Sequence, residues 1–303
     1  MKRALALLLA VGAVGCSRSQ LDTASPNDGD GAAVADSRPR ERPDSGIQPI
    51  DGSLADADKS GCDDASVSSG LVVSMEGDLA RYVPSSGFTT LGAIGCSLQY
   101  HSPGSMAVAR DGGAFVFYEL STLVAGHAPP TEIARVDPIS LACDFTSYTG
   151  PSDERIGMGF TANGLGPTET LYTIDTDGGL STLDTAKFEK SLVGNVDFLG
   201  EIAGGGDGRL FTFFSPDDAP GSAIAELDKT TGKVIALDHL FDLPTGSAWA
   251  FFRVGAFFFL FTDDGKGGST VSSYDLTKKV LDLHVDSYPG RIVGAGASSC
   301  ASP

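Results

Sequence analysis

From residue 70 onward, apolar residues come in short runs broken by Gly and Asp, and no stretch keeps a 3.6-residue period. Short runs of this kind, rich in Val, Thr and Phe, predict β-strands joined by tight turns. The runs also repeat in order. A small or apolar run comes first, then a Gly or Asp turn and an apolar-aromatic run. A third run ending in Asp follows, and a fourth comes after another turn. The first runs are "SMAVA" from Ser105, "GMGFT" from Gly157, "EIAGG" from Glu201, "SAWAFF" from Ser247 and "RIVGAG" from Arg291, recurring every 44 to 52 residues. The second runs are "GAFVFY", "ETLYTI", "GRLFTFF" and "AFFFLF".

Four strands per unit at this period predict the blades of a β-propeller, each sheet packing its faces on its neighbours around an axis. The fifth blade is split. "RIVGAG" at the C-terminus supplies its first strand, and "GLVVSM", "DLARYV" and "FTTLGAI" supply the other three. Pairing the two chain ends in one sheet closes the ring and leaves no long exposed edge. The expected fold is therefore all-β, a propeller of five four-stranded blades spanning residues 67–303, with six blades or a β-sandwich as the alternatives. The third runs end at Asp137, Asp184, Asp228 and Asp275. An Asp there can accept from turn amides two residues on, so these four read as turn formers before they read as a shared catalytic set.

The motifs "SMAV" with "DGGAFVFY", "GMGF", "GDGRLF", "AWAF" with "LFT", and "RIVGAG…SSC" occur in the order found in a family of uncharacterised lipoproteins of myxobacterial-type soil bacteria, which this chain resembles over residues 70–303. The resemblance implies secretion, a lipid anchor and a repeat-built β domain. It carries over no activity and no site.

The N-terminus agrees with an anchor. Lys2 and Arg3 precede an apolar stretch, Ala4 to Val14, too short to span a bilayer core of roughly 30 Å. It reads as a signal peptide over residues 1–15. "AVGC" resembles the lipobox of bacterial lipoproteins, which makes Cys16 the lipidated residue. The remaining cysteines, four of five, are then even in number. Diacylglycerol plus an amide-linked acyl chain gives stable attachment where one chain does not. Ser17 in place of Asp points to the outer membrane, with the domain on its periplasmic or surface face.

Residues 16–66 are the lipidated cysteine and a tether. This segment is rich in Ser, Asp, Ala, Pro and Gly, contains no aromatic residue, and cannot bury enough surface to offset its ordering entropy. The formal net charge is −18, and 17–66 holds eleven acidic against five basic residues. With Lys2 and Arg3 of the signal segment also set aside, about −14 is left for the folded part. That balance excludes nucleic acid as a partner, because no phosphate-neutralising patch exists.

The blade frame also orders the cysteines. Four cysteines permit three pairings. Cys300 sits just after the first strand of the split blade and Cys62 just before the second, so a Cys62–Cys300 disulfide takes the place of the missing hairpin. Cys96 follows the outer strand of that blade and Cys143 lies in the outer strand of the next, which predicts the second bond. An oxidising compartment suits both.

Candidate chemistry is sparse. "GGGDGRL" and "DDGKGGST" lack phosphate-loop spacing and read as hairpin turns. "DTDGG" offers too few oxygen ligands for calcium. His101, His127, His239 and His284 show no metal-ligand spacing, and no nucleophile elbow is present. No catalytic residue, metal ligand or cofactor is assigned. Trp249 with Phe251, Phe252, Phe257, Phe258, Phe259 and Phe261 suits either a sugar platform or packing between blades. Two functions follow. One is a monomeric, envelope-tethered binding or scaffold module for an envelope or extracellular protein, peptide or glycan. The other is a propeller hydrolase or lactonase, for which carboxylates converging within about 5–10 Å at one mouth of the channel would be the sign.

Overall fold

A computed structural model describes Cys62 and residues 68–121, 129–164 and 166–301. The expected signal peptide, Cys16 and the tether, apart from Cys62, lie outside the described residues, as does His127. Among the described residues, twenty strands form five four-stranded antiparallel sheets. The split blade orders β20 (Ile292–Gly296), β1 (Gly70–Ser74), β2 (Asp78–Val83) and β3 (Gly87–Ala93) from the axis outward. The next holds β4 (His101–Val108), β5 (Ala114–Leu120), β6 (Thr131–Val136) and β7 (Cys143–Gly150). Then come β8 (Ile156–Ala162), β9 (Glu169–Asp175), β10 (Gly179–Leu183) and β11 (Lys190–Asn195). The fourth sheet has β12 (Glu201–Gly204), β13 (Leu210–Phe214), β14 (Ser222–Leu227) and β15 (Val234–Leu240). The fifth has β16 (Trp249–Val254), β17 (Phe257–Asp263), β18 (Ser269–Asp275) and β19 (Val280–Tyr288). Each inner strand, β4, β8, β12, β16 or β20, touches the inner strands of both neighbouring blades, so the sheets close into a ring. This is a five-bladed β-propeller.

A ring of only five brings the inner strands very close together. A Cβ on Gly157 would overlap the carbonyl oxygen of Gly200, and one on Gly204 would overlap that of Phe160. The small residues of the "first runs" are therefore a packing requirement at the axis. Farther out, period-2 alternation sends neighbouring side chains to opposite inter-blade layers. Phe251 and Phe258 pack with Phe211 and Phe213, while Phe252, Phe259 and Phe261 surround Tyr82 of the split blade. Packing, not a sugar platform, accounts for these rings, and only Phe257 of the set is exposed.

The four repeat aspartates build one turn four times. Asp137, Asp184, Asp228 and Asp275 each accept from the amide two residues on, at 2.8, 2.8, 2.8 and 2.9 Å. The residue four positions on, Leu141, Phe188, Gly232 or Lys279, takes a left-handed φ near +60 to +75° and donates its amide to the aspartate's own carbonyl. Turn amides hold the Asp137, Asp184 and Asp275 carboxyls below the usual carboxylate range. At Asp228 the Thr230 hydroxyl contributes most, ahead of its amide. The split blade has Val83 in this place and reaches the left-handed position with Gly87 instead.

Among the described residues, two disulfides staple the ring. Cys62 joins Cys300 with Cα atoms 5.8 Å apart, and Cys96 joins Cys143 at 5.6 Å. These are the pairings that the split blade predicts.

Candidate functional site

The two ends of the central channel differ. Where the inner strands finish, the channel narrows to about 10 Å³ between Gly159, Ile202, Ala203, Gly204 and Gly296. Arg253, 5% exposed, fills this end and makes two 2.8 Å bonds to both oxygens of Asp207, while its Nε donates to Gly255 O at 2.7 Å. Bidentate pairing of this kind satisfies a buried guanidinium well. The 3-10 turn Ser299–Ala301 is buried here. Gly255 N donates to Ala301 O at 3.0 Å and the Ser298 hydroxyl to Arg110 O at 3.3 Å. The Cys62–Cys300 bond holds that turn in place.

Where the inner strands begin, the channel opens into a mouth of about 80 Å³. Every blade contributes to its lining, through Gly104, Ile156, Glu201, Trp249 and Val293, with Glu119 and Arg155 beside them. Glu201 opens β12 and is 7% exposed. The Ser105 hydroxyl donates to its Oε2 at 2.8 Å, and Ser105 Oγ accepts the Met158 amide at 3.1 Å, linking three blades. Burial pushes the Glu201 carboxyl well above its ordinary value. The Ser105 bond opposes this, and the nearby charge of Glu119 adds to it. Glu119, at the end of β5, is also raised by burial, and Arg155, whose Nε lies 3.5 Å from Glu119 Oε2, pulls it back. Trp249 presents a buried indole N–H that has no partner. At the edge of the mouth, Asp263 accepts from Ser247, and its carboxyl is held below the usual range by that bond and by the Gly265 amide.

Two carboxyls of perturbed acidity, one base and the Trp249 side chain thus line one mouth. The spacing in sequence gives no hint of this, because the residues lie on four different blades. One signal was available: "EIAGG" begins an innermost strand with an acid where the equivalent strands begin with small or apolar residues or with arginine.

A larger cleft of about 740 Å³ lies near the closed end between the split blade and the β4–β7 blade. Several of its charged groups are paired: Arg135 with Asp111, Arg81 with the Ser69 hydroxyl, and Asp137 with its turn amides. It offers less unsatisfied chemistry than the mouth. The histidines do not assemble either. His101 bonds the carbonyls of Gln99 and Pro130, His239 stacks on Phe241, and His284 lies on β19. Among the described residues no group of three or more His, Cys, Asp or Glu is placed to hold a metal ion. No described helix is long and apolar enough to cross a membrane.

No protein-family model matches the chain, and no curated protein matches it. Among solved structures, it is similar to TolB from Acinetobacter baumannii, at 12% identity and a TM-score of 0.43, over 78% of this chain and 66% of that one. It is also similar to the SapL1 lectin in complex with alpha methyl fucoside, at 11% identity and 0.44, over 73% and 81% of the two chains. A third is an oligogalacturonate lyase in complex with manganese, at 9% and 0.37, over 71% and 61%. The chain thus spans just under two thirds of TolB. Likenesses at this level concern architecture alone, and the propeller assignment rests on the chain's own strand order.

Proposed function

We propose that this chain is a cell-envelope lipoprotein, anchored in the outer membrane through Cys16, whose propeller is a binding module that takes a protein, peptide or glycan at the open mouth. The observation that carries the reading is the contrast between a narrow channel end filled by the Arg253–Asp207 pair and a mouth where the Glu201, Glu119 and Trp249 side chains line one cavity, with Glu201 bonded by the Ser105 hydroxyl. Pockets with a few convergent polar groups and perturbed acids are where ligands bind.

Binding of the full chain to peptide and glycan arrays tests the site. Trp249→Ala and Glu119→Gln should abolish the array signal, and Asp282→Asn, on an outer strand, should leave it intact; a signal indifferent to the mouth variants would refute the assignment. Anchoring is tested separately: Cys16→Ala should move the protein from the detergent phase to the aqueous phase. The second reading, a hydrolase or lactonase working at the same mouth, draws on the Glu119 and Glu201 carboxyls, since acids of raised pKa serve as general acids. Turnover of lactone or glycoside substrates that is lost in Glu201→Gln would replace the binding reading with this one.

A further inference from the structure

The open mouth buries an acid with half of its hydrogen-bonding capacity unused. Ser105 serves Oε2 of Glu201, and among the described residues no donor reaches Oε1, although the side chain lines the cavity. An ionised carboxylate in such surroundings needs a counter-charge. The base lining this mouth, Arg155, is 67% exposed and leans on Glu119, not Glu201. A contact that exposed is cheaply displaced. Beside the two acids stands Trp249, whose indole face is the strongest of the aromatic surfaces for attracting a cation.

Past Leu199 and Trp249 the mouth continues into a cleft of about 410 Å³. Its wall is the stacked pair Phe198 and Phe214, with centroids 3.8 Å apart, and its rim carries Asp197, Asp217 and Asp218. No Lys, Arg or His is among the described residues that line it.

Building on the binding reading of the mouth, we infer that its ligand carries an organic cation, an ammonium or guanidinium group on a flexible arm, with the charged end between Glu201 and Glu119 and the arm laid along Trp249 and Phe198. The cation supplies the missing donors to Glu201 Oε1 and the missing counter-charge to both acids. Charge-assisted bonds in a site screened from water are the strong ones. The mouth itself has room for a few waters, which suits the tip of a chain. An anionic ligand would meet the field of five acids. The cation has two sources, a free polyamine or a Lys or Arg side chain of a protein.

Trp249 is the only tryptophan of the chain, so its fluorescence reports on this site directly. The full-length protein is titrated at neutral pH and low salt with cadaverine and with trilysine, and with 1,5-pentanediol and glutarate as neutral and anionic counterparts of the same length. A cation should shift Trp249 emission saturably, while pentanediol and glutarate leave it unchanged. Glu201→Gln should weaken cation affinity at least tenfold and Glu119→Gln several-fold, with Asp282→Asn as the control. Unchanged thermal unfolding of the free variants excludes misfolding as the cause. Trilysine tighter than cadaverine assigns a protein side chain, and the reverse order assigns a free amine. If the cations fail while an array ligand still shifts Trp249, the inference falls and the mouth remains a binding site. If neither shifts it, both fall. Cation binding at unaltered strength in both glutamate variants also overturns the inference.

Discussion

The two ends of the channel solve opposite problems with similar residues. At the closed end a buried charge, Arg253, meets Asp207, 18% exposed, in two parallel bonds, and the turn Ser299–Ala301 is buried at the same end. At the open mouth a buried charge-bearing group, Glu201, has one hydroxyl for company. A fully satisfied buried pair specifies a structure, whereas a half-satisfied group costs stability and is useful only when something else completes it. The closed end is therefore the frame of the molecule and the mouth its working surface.

Removing the staple at the closed end should break this contrast most severely. Cys62→Ser with Cys300→Ser frees the buried turn and opens a link between residues 238 apart, and about 4 kcal/mol or more should be lost on chain-entropy grounds. The double serine variant at Cys96 and Cys143, whose separation is 47, should lose about 1.4 kcal/mol less on the same grounds. Urea unfolding of both variants measures the order, and a reversed order would mean that the closed end is not the frame. Next in size is Arg253→Met, which takes the charge partner from Asp207, leaves it the bond from the Arg209 amide, and should cost about 3 kcal/mol. A variant as stable as the parent would show that this pair is dispensable.

The mouth should respond in the other direction. The Glu201 carboxyl is raised by burial, so its contribution is fully present below the ordinary glutamate range and is lost as pH rises through its folded value. Glu201→Gln keeps an acceptor for Ser105 and cannot ionise. It should match the parent at pH 4 and melt at a higher temperature at pH 8. Equal melting at both pH values would mean that Glu201 is solvated.

The smallest effect belongs to the exposed turns. Asp137→Ala or Asp184→Ala removes two amide bonds from a solvated loop. The native carboxyls are depressed, so the contribution they make is present above the ordinary aspartate range and is lost as pH falls through the folded values. Parent and variant should differ slightly at pH 7 and converge in acid.

Much of the frame was legible in advance because its physics is local or periodic. Turn aspartates recur at a fixed place in each unit, strand alternation assigns Phe251 and Phe252 to opposite layers, and the split blade selects among the cysteine pairings. The working surface was not legible. Ser105 and Glu119 share one unit while Arg155, Glu201 and Trp249 sit in three others, and only closure of the ring brings them to one point. The aromatic run around Trp249 was readable two ways, because alternation shows which rings share a face but not whether that face meets a neighbouring sheet or water.

The Cys62–Cys300 bond also determines how the domain bears mechanical load. A pull on any residue before Cys62 passes through the sulfur bridge to Cys300 and so reaches the end of β20 at the axis. Without the bridge the same pull would act on β1 alone and peel it from β20 and β2 one hydrogen bond at a time. With it, β1 and β20 are loaded together, and their ladder is not drawn apart. Forced unfolding is governed by the barrier and not by equilibrium stability. Stretching single molecules from the N-terminus against an anchor on an outer strand should therefore show a higher rupture force in oxidised protein than in reduced protein.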